Sequence, residues 1–125
     1  NGEGKLNLPK RNDSFVFSYT SGTTKDPKGV KITHKMMLGC IWAMNLRFRD
    51  KPMNEHDCYI SYMPAAHVFE QGLFSSSITY GMKCGFFSGT PLKMIEDMSI
   101  LHPTFFATVP RILNRIYGKI TDKVA

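Results

Sequence analysis

Two stretches hold side chains whose types and spacing could do chemistry. The first is "YTSGTTKDPKGV", residues 19–30, which follows the β-rich run "SFVFSY". Gly22 and Gly29 allow close backbone approach to a ligand. Thr20, Ser21, Thr23 and Thr24 offer hydroxyl donors, and Lys25, Lys28 and Lys31 add positive charge. Hydroxyls, turn amides and lysines together make a phosphate cradle. The order is not that of a Walker loop, which needs G-x-x-x-x-G-K-[ST]. Counted from Gly22, the second glycine position holds Pro27, and Lys28 is followed by Gly29. Composition alone allows an ordinary surface loop equally well. The second stretch is "SYMPAAHVFEQ", with His67 at its centre. A lone histidine is commonly a core or helix-capping residue, so spacing alone assigns it no chemistry.

The elements that must position these residues alternate between two periods. β-rich runs lie near residues 14–19, 57–62, 83–88 and 104–108. Helical patterns fall between and after them. "THKMMLGCIWAMNLRF" has Thr33 as a cap and Met37, Cys40, Ile41 and Met44 on one face. "HVFEQGLFSSSITYG" ends at Gly81, "PLKMIEDMSIL" is opened by Pro91, and "PRILNRIYGKITDKV" has Pro110 in its first turn. In the last, Ile112, Leu113, Ile116, Tyr117 and Ile120 recur at a helical period. Strand and helix alternating in this way predict an α/β fold. Its mainly parallel sheet of about four strands would lie between helices in three αβα layers. Ligands of such sheets bind at the carboxyl ends of the strands, where both stretches lie.

Size and charge bound the rest. The 125 residues are 42% hydrophobic and carry a net charge of +6, enough for a core and suited to anionic partners. Residues 1–13 are polar and broken by Gly and Pro, and read as a leader or linker to a domain over 14–125. No apolar stretch reaches the length of a membrane span. Three cysteines, Cys40, Cys58 and Cys84, have no metal-ligand spacing; each lies in an apolar segment and reads as a buried, reduced thiol of an intracellular protein. No nucleic-acid motif is present, although a polyanion-binding module stays open on charge alone.

"YTSGTTKDPKGV" resembles the phosphate-binding signature of the adenylate-forming superfamily, which includes acyl-CoA synthetases, luciferases and peptide-synthetase adenylation domains. It differs at one fixed position, Lys25, where the family has Gly. "SYMPAAHVFEQ" is similar to the segment whose histidine lines the acyl pocket, and its Phe-Glu ending resembles the long-chain fatty acyl-CoA synthetases. "HPTFFATVPRILNRIYGKI" resembles a helix entry of that same branch.

The resemblance implies ATP, fatty acid and CoA as substrates, with Mg2+. Thr20, Ser21, Gly22, Thr23, Thr24, Lys28 and Gly29 would hold the nucleotide phosphates. Thr20, or failing it Thr23, would meet the metal. His67 would stand near the reacting carboxylate, with Phe69 against the acyl channel or core. Glu70 would pair with a basic residue or lie solvated. The family also needs an acidic metal ligand, a ribose aspartate, an adenine pocket and a C-terminal domain with a catalytic lysine, none identifiable before Ala125. The chain would then be an excised piece of the large N-terminal domain, inactive alone. Its parent enzyme would be cytoplasmic or held at the cytoplasmic face of a membrane. The alternative within the superfamily is a ligase for another carboxylic acid.

Overall fold

A computed structural model describes residues 6–20, 26–90 and 93–124. Eight elements follow in order: β1 (Ser14–Thr20), β2 (Lys28–Thr33), α1 (His34–Arg47), β3 (Cys58–Ser61), α2 (Val68–Tyr80), β4 (Lys83–Phe86), α3 (Met94–Leu101) and α4 (Pro110–Val124). They sort into two compact units, the first of residues 1–52 and 64–76, the second of 53–63 and 77–125. The α/β class expected from the alternation is observed.

In the first unit, β1 and β2 form an antiparallel pair running from Ser14↔Thr33 to Thr20↔Lys28. This corrects the expectation that the first strand joins the parallel sheet. The physical reason lies in "VKIT": the alternation of Val30 and Ile32 with Lys31 and Thr33 is itself a strand pattern. A chain that turns back at once pairs with itself at low loop-closure cost. An irregularity in register between Ser14 and Val16 sets Phe15 apart, and its ring meets His34 edge-on at 5.2 Å.

The start of α1 is tied on all sides. Thr33 caps it as expected, its Oγ1 accepting from the Met36 N–H at 3.3 Å. The His34 and Lys35 amides donate to the carbonyls of Asp13 and Arg11. Met37 and Ile41 are buried, while Trp42 on the next face is 67% exposed. Cys40 is exposed, against the expectation of burial. Its position on the helix places it at the margin of the Met37–Ile41 stripe, and its sulfur lies near Gly72 of α2.

In the second unit, β3 and β4 pair in parallel, Cys58↔Lys83 through Ser61↔Phe86. Tyr59 and Ile60, 1% and 3% exposed, sit at its core. The partner of Ile60 in β4 is Gly85, where an added Cβ would collide with the Leu101 side chain of α3; the missing side chain lets α3 pack onto the sheet. The Gly81 backbone at φ +70° ends α2, as its position in the sequence suggests.

The fourth expected strand, 104–108, is reduced to one parallel bridge between Tyr59 and Phe105. Thr104 supplies the reason. Its hydroxyl accepts from the Cys58 N–H at 2.9 Å and donates to Asp57 Oδ1 at 2.8 Å, so a side chain takes the place of a ladder bond. Pro103 and Pro110 bound the segment and shorten it further. The helix expected at 110–124 is present, with Leu113 and Tyr117 exposed; Pro91, expected to open α3, lies outside the described residues.

Candidate active site

The hairpin brings the two ends of the signature together. Thr20 ends β1 and stands opposite Lys28; Tyr19 stands opposite Gly29. Lys28 and Gly29 are exposed at the head of β2. Ser21, Gly22, Thr23, Thr24 and Lys25 lie outside the described residues.

Gly29 has a steric duty that the signature does not announce. A Cβ there would approach Cε1 of the Tyr19 ring to 3.2 Å and Cζ to 3.4 Å. The ring therefore lies against the Gly29 backbone, across the strand pair. Tyr19 was missed as a site residue in the sequence; an aromatic paired across from a glycine in a hairpin is the signal that would have found it.

His67 sits in a turn that belongs to the same unit as the hairpin. Its N–H donates to the Pro64 carbonyl at 2.8 Å, and its carbonyl accepts from the Gln71 N–H at 3.0 Å, the first bond of α2. The imidazole Nδ1 accepts from the Phe69 N–H at 3.2 Å. His67 thus occupies the capping position of α2 with its ring as the acceptor, a duty usually given to Ser, Thr, Asp or Asn. The residue is exposed.

Around it, Phe69 is 38% exposed and Leu73 is 3% exposed. Glu70 is 3% exposed, which excludes the solvated surface carboxylate that the sequence left open. It lies in the first turn of α2. Ser18 links the two parts of the site: its hydroxyl lies 3.5 Å from the carbonyl oxygen of Ala66, the residue before His67.

Among the described residues one titration is displaced, in the second unit. Burial pushes the Cys58 thiol up, Lys83 opposes the shift and Cys84 adds to it. Cys58 is therefore a protonated core thiol rather than a nucleophile. Cys40, Cys58 and Cys84 are all free.

The family model described as AMP-binding enzyme matches residues 3–124. Long chain acyl-CoA synthetase 4 of Arabidopsis thaliana is 37% identical over 129 residues, covering 99% of this chain and 19% of that protein. Long-chain-fatty-acid–CoA ligase 5 of Mus musculus is 42% identical over 118 residues, covering 92% of this chain and 17% of that protein. The chain therefore spans about a fifth of the length of these relatives. Among solved structures, O-succinylbenzoate coenzyme A synthetase of Bacillus subtilis in complex with AMP superposes with a TM-score of 0.76. The identity is 21%, with 88% of this chain and 22% of that one covered, a likeness of fold. With a signature hairpin, a histidine turn and a family match over nearly its whole length, the chain belongs to the AMP-binding enzyme family.

Proposed function

We propose that this chain carries the ATP-phosphate loop and the acyl-pocket histidine of a long-chain fatty acid–CoA ligase. The observation that carries the reading is the Thr20↔Lys28 pairing, which closes the signature into a hairpin connection beside the His67 turn. The long-chain names of the relatives support the substrate class.

In this reading Thr20, Ser21, Gly22, Thr23, Thr24, Lys28 and Gly29 hold the β- and γ-phosphates through hydroxyls, amides and one ammonium. An exposed lysine beside a sequence rich in hydroxyls and glycine suits an anion of spread charge. Thr20 would hold Mg2+ through its hydroxyl oxygen, since a hard cation keeps several waters and takes few protein ligands. When bound, it neutralises phosphate charge.

The chemistry has two steps. A fatty acid carboxylate oxygen attacks the α-phosphorus of ATP; the bond to the β-phosphate oxygen breaks, and pyrophosphate leaves with its electron pair. The CoA sulfur then attacks the acyl carbonyl of the adenylate, AMP leaves, and the thiol proton passes to the medium. The first step joins two anions, so the task of the loop and of His67 is to hold them together and spread their charge. Phe69 lines the acyl side of the site.

Three free cysteines fit a reducing, intracellular compartment. No described helix is long and apolar enough to cross a membrane.

The test is ATP–pyrophosphate exchange by the full-length enzyme with a panel of carboxylic acids. Exchange driven by long-chain fatty acids supports the reading. Exchange driven only by short or aromatic acids would assign a different ligase of the superfamily. Polyanion binding without exchange, falling steeply with salt, would assign a non-catalytic module.

A further inference from the structure

Thr20 and Lys28 form the last pair of the β1–β2 ladder, and Tyr19 and Gly29 form the pair before it. The rest of the signature leaves the ladder at Thr20 and returns to it at Lys28. A ladder frays first at its end, and a glycine there adds backbone freedom. The pairing is thus weakest beside the two residues that must meet phosphate. The Tyr19 ring offsets this weakness. A Cβ at Gly29 would lie 3.2 Å from its Cε1, 3.4 Å from its Cζ and 3.7 Å from its Cδ1. Tyr19 is 72% exposed, so the ring is not anchored in the core; what it covers is Gly29. An aromatic ring laid over a cross-strand glycine makes up for the side chain that glycine lacks. Side chains alternate between faces along a strand, so Gly29 and Lys28 present opposite faces. The ring therefore acts on Lys28 through the β2 backbone and not by touching its ammonium.

We propose that Tyr19 is a positioning residue for ATP: its ring, laid across Gly29, closes the end of the ladder and holds Thr20 and Lys28 at the spacing of a strand pair. This rests on the ligase reading above and deepens it by naming a residue outside the phosphate-binding set that fixes the geometry of that set. A triphosphate must engage both ends of the signature at once. The entropy cost of fixing those ends falls on ATP binding unless the hairpin has already met it. A brace of this kind lowers KM for ATP and leaves KM for the fatty acid alone.

Two substitutions in the full-length enzyme separate the ring from the rest of the side chain. Tyr19→Phe keeps every ring atom that faces Gly29 and is expected to match the parent within about twofold in pyrophosphate exchange. Tyr19→Val keeps a strand-forming residue and removes the ring. It is expected to raise KM for ATP about three- to fivefold, with KM for the fatty acid unchanged. In a Lys28→Ala background the same substitution is expected to add less than about twofold, because the residue through which the ring acts is gone. Hydrogen exchange over residues 14–33, read without substrate, is expected to be faster in Tyr19→Val and parental in Tyr19→Phe. The positioning role is overturned, with the ligase reading intact, by any one of these results: a parental KM for ATP in Tyr19→Val, an equal rise for the fatty acid, a full three- to fivefold rise in the Lys28→Ala background, a loss in Tyr19→Phe as large as in Tyr19→Val, or hydrogen exchange unchanged by Tyr19→Val. Absence of fatty-acid-driven pyrophosphate exchange in the parent overturns the ligase reading itself, and the positioning role with it.

Discussion

Ser18 on β1 directs its hydroxyl at the backbone carbonyl of Ala66, 3.5 Å away. The strand that leads into the signature and the turn that holds His67 are thereby neighbours, although 48 residues separate the two partners in sequence. A bond this long contributes little by itself. Ser18→Ala is expected to change stability by less than about 0.5 kcal/mol and exchange by less than about twofold. Ser18→Leu at this half-buried position pushes against the turn and is expected to cost about 1–3 kcal/mol. Chemical unfolding of both variants checks the contrast; equal stability of the two would mean that strand and turn do not press on each other.

Gly29 is a packing residue as well as a signature residue. A methyl group there meets the Tyr19 ring at 3.2 Å, a contact the ring can relieve by shifting a few tenths of an ångström. Gly29→Ala is expected to cost under about 1 kcal/mol, and Gly29→Val more, with Tyr19→Ala restoring part of the loss in the double variant. A double-mutant cycle on unfolding free energies measures it. Strict additivity would remove the Tyr19 contact from the account.

Thr104 holds the segment after α3 against β3 through its hydroxyl. Thr104→Val keeps the shape and leaves the Cys58 N–H without that acceptor, an expected loss of about 1–3 kcal/mol; Thr104→Ser keeps most of the stability. Denaturant midpoints for the two variants decide between a structural hydroxyl and an incidental one.

The cysteines differ in both burial and acidity. At pH 8, alkylation followed by mass spectrometry is expected to label exposed Cys40 first and buried Cys58 last. The raised pKa of Cys58 also sets a sign. Its folded value lies above the unfolded one, so its share of stability is full below the unfolded value. That share is lost as the pH rises through the folded value. Labelling of Cys58 ahead of Cys40 would contradict the burial order.

How much of this was legible in the residues varies with the length of the interactions that decide it. Helices α1, α2 and α4 were readable because capping and periodicity act locally: Thr33, Gly81 and Pro110 sit where the structure ends or starts them. The parallel pairing of β3 and β4 was readable from the strand–helix–strand order. The partner of β1 was not legible, because only the hairpin closure reveals "KGVKIT" as a strand. The 104–108 run has the composition of a strand, but the Thr104 side chain, a distant partner of Asp57 and Cys58, replaces its first ladder bond. At the site, residue types named the phosphate chemistry and His67. The acceptor role of the His67 ring was not legible, since histidine is a rare cap and only the Phe69 contact shows it.

The central claim is that the hairpin whose second strand starts at Lys28 binds nucleotide phosphate during catalysis. Its most direct measurement is fatty-acid-dependent ATP–pyrophosphate exchange by the full-length enzyme and its Lys28→Ala variant. The account predicts a loss of about 2–4 kcal/mol of transition-state stabilisation, a fall in kcat/KM of roughly 30- to 1000-fold, with the unfolding midpoint essentially unchanged because Lys28 is exposed. Exchange at the parental rate in Lys28→Ala would contradict it.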